Sequence, residues 1–190
     1  MTSVIFLKHI LTQQFFDRPT PKVAKELLGK FLVRRFPRQS ASSQRRSRRR
    51  EVAAMITEVE AYVGPEDRAS HASRGETARN RAMFGPAGVW YVYFTYGMHW
   101  MLNIVTERRG YPAALLIRAA GDVYGPGRLT KFFGVDKALN KKPANKRAGL
   151  WVEDRGIKIS QSQIARGKRI GVDYAGKWKN KPWRFYITHV

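Results

Sequence analysis

Three side chains suited to acid–base chemistry fall at alternate positions of one strand-like run. Met55-Ile56-Thr57-Glu58-Val59-Glu60-Ala61-Tyr62 reads as a β-strand. Alternation places Glu58, Glu60 and Tyr62 on one face, with Ile56 at its start, and Thr57, Val59 and Ala61 on the other. Two carboxylates so close repel one another, which can raise one pKa and fit that group to act as a general base. A solvated strand face carries the same pattern. Gly64-Pro65-Glu66-Asp67 follows as a turn, and His71 comes a few residues later. A lone histidine is more often structural than catalytic. His9, His71, His99 and His189 are scattered without metal-ligand spacing, so no metal site is expected.

The aromatic centre of the chain is Trp90-Tyr91-Val92-Tyr93-Phe94-Thr95-Tyr96-Gly97-Met98. As a strand it places Tyr91, Tyr93 and Thr95 on one face and Trp90, Val92, Phe94 and Tyr96 on the other. Such rings either fill a core or stack on nucleobases, and buried tyrosines need hydrogen-bond partners. Tyr96, just before Gly97, falls where a turn would let its ring protrude. Arg118 ends the apolar run Ala113–Ile117, where an arginine is costly unless paired with an acid or phosphate or simply emerging at the strand end. Asn103, inside the largely apolar His99–Val105, needs partners, either structural or from a substrate.

The scaffold holding these groups is strongly basic. The 190 residues include 36 Lys and Arg against 14 Asp and Glu, a formal charge of +22. That excess points to a polyanion, nucleic acid before anionic membrane. Ten Phe, eight Tyr and five Trp supply a core, which argues against wholesale disorder. There are no cysteines, which excludes disulfides, cysteine-based zinc sites and thiol catalysis. No apolar run reaches the ~18 residues of a membrane span, and Met1–Gln14 does not read as a signal peptide. The charge is uneven. Pro37–Arg50 carries six arginines and no acid, and reads as a mobile basic loop at 37–50. Residues 51–67 hold five of the 14 acids, which opposes polyanion binding and implies another task.

One helix is expected early, with Thr20 as N-cap, Pro21 at its first position, Gly29 beyond its end, and Val23, Ala24, Leu27 and Leu28 on one face. Strands are predicted over Phe31–Phe36, Val52–Val63, Trp90–Tyr96, His99–Val105, Ala113–Ala119, Arg169–Tyr174 and Trp183–Thr188. A short helix should follow Gly125-Pro126-Gly127, and Asn140–Lys146 reads as an exposed loop. With strands dominant and long crossover helices scarce, the predicted fold is α+β: a single compact domain over 1–190, mainly an antiparallel curved sheet with a few short helices.

These segments, taken in order, resemble the alkyladenine (3-methyladenine) DNA glycosylase family of the monofunctional mammalian and Bacillus type. The resemblance is carried by Glu58-Val59-Glu60-Ala61-Tyr62-Val63-Gly64-Pro65-Glu66-Asp67 through His71, by Thr77-Ala78-Arg79-Asn80-Arg81-Ala82-Met83-Phe84, and by Tyr91–Met98. Asn103, Arg118, Gly125-Pro126-Gly127-Arg128-Leu129 and Arg184-Phe185-Tyr186 continue it, so it runs from about Phe16 to Tyr186. The 37–50 stretch is the main local departure.

The resemblance implies an enzyme that turns an alkylated or deaminated purine out of duplex DNA and hydrolyses its N-glycosidic bond, leaving an abasic site. It implies Glu60 as the base activating water and Arg118 as its partner. Tyr62, His71 and Tyr93 would sandwich the base, and Asn103 would crowd a purine 2-amino group. Tyr96 would be the wedge in the stack, with Met98 supporting it. No lyase step, no cofactor and no metal are implied. The expected partner is double-stranded DNA with damaged purines, with no membrane, and the chain is expected to be a monomer. The expected location is a bacterial cytoplasm, or a nucleus in a eukaryote. The competing readings are a non-catalytic basic nucleic-acid-binding module and an enzyme acting on RNA.

Overall fold

The computed structural model describes residues 8–37 and 50–188. Most of the arginine-rich 37–50 stretch, and His189, therefore lie outside the described residues. The chain is an α+β fold built on an antiparallel sheet of ten strands: β1 (His9–Ile10), β2 (Phe31–Arg35), β3 (Glu51–Val63), β4 (Trp90–Thr95), β5 (His99–Val105), β6 (Ala113–Ala120), β7 (Val123–Tyr124), β8 (Leu150–Asp154), β9 (Ile164–Gly167) and β10 (Arg184–Ile187). The main path runs β1-β8-β2-β3-β6-β5-β4, with β7 beside β6, and β10 joining β3 to β9. Among the described residues three short α-helices accompany it: α1 (Gln13–Phe16), α2 (Thr20–Leu27) and α3 (Pro126–Phe132).

The helices cover one face of the sheet. Val23, Ala24 and Leu27 of α2 and Leu129 of α3 are buried with Ile56, Val59 and Ala61 of β3, Trp90 and Val92 of β4, Leu102 and Ile104 of β5, and Leu115 and Ile117 of β6. Thr20 is the first helical residue rather than the cap, which is Pro19. The orphan N–H of Thr20 is instead satisfied by the Glu107 carboxylate (3.0 Å), to which its hydroxyl also donates (2.6 Å). A carboxylate there also suits the positive end of the helix dipole.

The long strand β3 changes partners at an irregularity. Its first half pairs with β2 and its second half with β10, while β6 runs along its other edge. Against β6 the register slips twice, between Ile56 and Glu58 and again between Glu58 and Val59. Thr57 on β3 and Arg118 on β6 are the residues passed over. Each slip shifts the face parity by one. On β3 the core residue Ile56 is followed by Val59 and Ala61, and on β6 Ile117 is followed by Ala120. Simple alternation placed Ile56 on the face of Glu58 and Glu60. The bulge moves it to the opposite face, beside Val59.

Other expectations need adjustment. No strand forms over Arg169–Tyr174; an irregular segment and the 3-10 turn Asp173–Asn180 stand there, while the nearby strand is β9. The Asn140–Lys146 loop is not wholly exposed. Ala144 is buried, and backbone bonds from Trp90 to Lys142 and from Lys141 to Trp90 cover the outer edge of β4. The sequence reading gives no strand at β1, β7, β8 or β9; β8 hides in Leu150-Trp151-Val152-Glu153-Asp154, whose first four residues are all buried. No helix of the described residues is long and apolar enough to cross a membrane.

Candidate active site

The uncovered face of β3, β4, β5 and β6 forms the floor of a cavity of about 390 Å³, within the range of small-molecule sites. The same alternation that sends Trp90 and Val92 into the core sends Tyr91 and Tyr93 into the cavity. Leu116 and Asn103, opposite one another across the β5–β6 pair, add to the floor. Ser70, His71, Met83 and the Ile170–Val172 segment form the walls.

Glu60 sits behind this wall. Its carboxyl is completely buried in the sheet. Oε1 accepts the Ile170 backbone N–H (2.8 Å) and lies 3.3 Å from Arg118 Nη1, and Oε2 accepts the Tyr62 hydroxyl (2.9 Å). Tyr62, Arg118 and Ile170 all line the cavity, so each of these partners connects the carboxyl to the open space. Burial pushes the Glu60 pKa above the usual carboxylate range, and Arg118, the Ile170 N–H and the Tyr62 hydroxyl oppose it without cancelling it. Arg118, one of the two residues passed over in the β3–β6 register, also donates from Nε to Glu58 (2.8 Å). Glu58 further accepts Arg184 Nη1 from β10 (3.3 Å). Glu58 thus meets two arginines where Glu60 meets one.

The cavity is aromatic. His71 Nδ1 and the Tyr91 hydroxyl share a hydrogen bond (2.8 Å), and the His71 ring meets Tyr93 edge-on, with centroids 4.6 Å apart. Tyr91 and Tyr93 lie 5.2 Å apart. Burial holds both phenols well above the ordinary tyrosine range, so they stay protonated. Burial, helped by Arg79, lowers the His71 pKa and favours the neutral ring. Asn103 is buried and donates to the Tyr91 carbonyl (3.1 Å).

Tyr96 and Met98 occupy the tip of the β4–β5 hairpin. Thr95 pairs with His99, leaving Tyr96, Gly97 and Met98 as the loop, closed by the Met98 N–H to the Thr95 carbonyl (3.1 Å). Tyr96 and Gly97 both adopt left-handed backbone (φ 52° and 65°), the second being why glycine is wanted there. The Tyr96 ring is 80% exposed at the cavity mouth, and Met98 is also exposed but does not line the cavity. Arg79 braces the hairpin by donating to the Phe94 carbonyl (2.9 Å), and its guanidinium sits 5.3 Å from the Tyr93 ring centroid.

The structure thus gathers Arg118, Tyr62, His71, Tyr93, Asn103 and Tyr96 around one cavity, with Glu60 just behind it. Among the described residues no three His, Asp or Glu side chains come together as a metal-holding group.

Three positioning residues were not singled out from the sequence. Arg169 makes a fully buried two-pronged ion pair with Asp67 and donates to the Ala61 carbonyl (2.8 Å). Its guanidinium lies 4.8 Å from the Tyr62 ring centroid. Asp67 also accepts the N–H groups of Val63 and Ala69. The pair therefore ties the turn after β3 to the segment that brings Ile170 to Glu60. Asn80 accepts Thr77 N–H (2.6 Å) and donates to the carbonyls of His71 and Gly75 (both 2.9 Å), fixing the His71–Arg74 turn. Arg169 carries no such signal in the sequence: it stands beside Lys168 and before only the short stretch Ile170-Gly171-Val172.

Comparisons with known proteins cover nearly the whole chain. The family model for methylpurine-DNA glycosylase matches residues 14–124 and 122–190. A protein of Methanocella arvoryzae is 43% identical over 93% of this chain and 92% of its own length. One of Myxococcus xanthus is 42% identical over 93% of this chain and 89% of its own, and one of Rickettsia peacockii is 40% identical over 95% and 91%. All three carry the name "Putative 3-methyladenine DNA glycosylase". With the match extending over nearly all of its length, the chain belongs to the methylpurine-DNA glycosylase family.

Proposed function

We propose that the protein is a base-excision DNA glycosylase that hydrolyses the N-glycosidic bond of alkylated or deaminated purines, such as 3-methyladenine, 7-methylguanine, hypoxanthine and ethenoadenine. The observation that carries this reading is Glu60. A carboxyl fully buried behind an aromatic cavity, raised in pKa and held by an arginine, a tyrosine and a backbone N–H, is costly to build. A basic module that only tracked phosphates would gain nothing from it.

In this reading the duplex is scanned through sequence-independent phosphate contacts. Tyr96, standing out on its hairpin, enters the stack, and the purine turns into the cavity between Tyr62, His71 and Tyr93. Electron-rich rings favour a cationic alkylated base, and a neutral His71 adds no charge to repel it. While still ionised, the Glu60 carboxylate stabilises the oxocarbenium-like sugar as the purine leaves with the glycosidic electron pair, and it then takes a proton from the water whose oxygen bonds to the sugar carbon. Arg118, tethered to Glu58 through Nε and lining the cavity, holds Nη1 beside Glu60, where it can also bind the water. Among the described residues no lysine lines the cavity, and a hydrolysis that ends at the abasic site needs none. One pocket and one wedge suffice for a monomer.

The test is release of base from duplexes carrying hypoxanthine, ethenoadenine or 3-methyladenine, read as alkali-labile cleavage after incubation. Wild type should produce abasic sites and Glu60→Gln should bind without producing them. Substantial excision by that variant, or no excision by wild type, would overturn the reading. Activity on a matched RNA duplex would transfer it to RNA.

A further inference from the structure

A second exposed aromatic stands at the cavity mouth with no part in the chemistry above. Tyr174 lines the cavity and is 70% exposed. It is the second residue of the turn Asp173–Asn180, on an element separate from the Tyr96 hairpin. Its base is anchored, because Val172 and Ala175 on either side are buried together with Ala69, with Tyr62 and Trp178 packed against them. Its hydroxyl donates to the Ala69 carbonyl (3.2 Å), next to Ser70 and His71 of the cavity wall. The ring is pinned at both ends with much of its surface in solvent. Ordering a large side chain without burying it loses entropy with little return, unless something packs on it in a complex. Ile170, also exposed, lies four residues earlier on the same rim.

We propose that Tyr174 is a substrate-binding residue. Its ring forms a second lip that packs against the turned-out purine nucleotide and slows its return to the duplex. The inference rests on the function proposed above. The hydroxyl is committed to Ala69, so the contact is made by the ring and not by a hydrogen bond to phosphate. Partial burial and the neighbouring Tyr96 push the phenol pKa up, against the pull of Arg169 in the other direction, which keeps the donor proton on the ring oxygen.

The experiment compares binding of wild type, Tyr174→Ala, Tyr174→Leu and Tyr174→Phe to two duplexes. One carries hypoxanthine, the other a tetrahydrofuran abasic analogue that still admits the Tyr96 wedge but has no base to hold. Tyr174→Ala should bind the hypoxanthine duplex about tenfold more weakly, the scale of one base–aromatic stack, and the abasic duplex unchanged. Tyr174→Phe should stay close to wild type, and Tyr174→Leu should fall between. Equal loss on both duplexes would make Tyr174 a contact to the DNA flanks and overturn the proposal, as would no loss on either. If Tyr174→Ala fails to fold, the Leu and Phe variants carry the same comparison. A wild-type protein that neither prefers nor cleaves the hypoxanthine duplex fails at the earlier reading and takes this one with it, a result distinct from a defect confined to the variants.

Discussion

Arg118 holds two carboxylates with one guanidinium. Its Nε donates to Glu58 Oε1 at 2.8 Å, and its Nη1 lies 3.3 Å from Glu60 Oε1. Removing this cation leaves Glu60 with burial unopposed by its nearest charge. Arg118→Gln should therefore raise the Glu60 pKa further. The acidic limb of the excision-rate profile should move upward in pH with it. A profile that falls in height without moving would contradict the coupling.

Glu60 itself gives a signed pH prediction. Its folded pKa is raised, so the folded state prefers the protonated carboxyl. Its contribution to stability is present below the unfolded carboxylate value and lost as pH rises through the raised one. Glu60→Gln removes that loss. The variant should gain stability relative to wild type as pH rises from 4 toward 7, measured by urea denaturation at each pH, while excision disappears. A difference that shrinks as pH rises would show the carboxyl to be favoured in its ionised form.

The hairpin tip separates backbone from ring. Tyr96 adopts φ 52°, a conformation that costs a non-glycine residue about 1–2 kcal/mol. Tyr96→Gly should melt no lower than wild type. Tyr96→Ser should lose lesion capture and keep weak, salt-sensitive duplex binding. Equal lesion affinity in wild type and Tyr96→Ser would refute the wedge role.

The Asp67–Arg169 pair is wholly buried, so breaking one side leaves an uncompensated charge. Asp67→Asn should destabilise by about 3–5 kcal/mol in chemical denaturation. The double change Asp67→Leu with Arg169→Met should recover part of this, because the stranded charge is then absent. A double variant no more stable than the single would show that the hydrogen bonds to Ala61, Val63 and Ala69, not the charge pair, hold the turn.

The strands that build the cavity floor were readable because each carries its own signal. His99–Val105 matches residue for residue, and the alternation of Trp90 and Val92 against Tyr91 and Tyr93 separates the two faces that the fold turns to core and to cavity. The face of Glu60 was right, but the place of Ile56 was not, because a bulge is a property of two strands and leaves no mark in one. Arg169 and Asp67 lie 102 residues apart, and nothing local couples them. Thr20 was assigned as a cap from its type, whereas the carboxylate that satisfies the helix comes from Glu107. Propensity and period reach as far as neighbouring residues, and these features depend on distant ones.

The double slip between β3 and β6 sets limits on how the gene can change. Thr57 and Arg118 are each the extra residue of their strand, so losing Thr57 leaves Ile56 beside Glu58, and plain alternation then puts Ile56 and Glu60 on opposite faces, where they already are. A one-residue deletion should be tolerated at Thr57, where it removes an irregularity, whereas at Val59 or Ala61 it would turn everything beyond to the wrong face. Losing Arg118 would also keep Ile117 and Ala120 on the core side but would take away the cation held between Glu58 and Glu60. The gene can therefore shorten at Thr57 without turning the sheet over, and at Arg118 only by stripping the site of its cation.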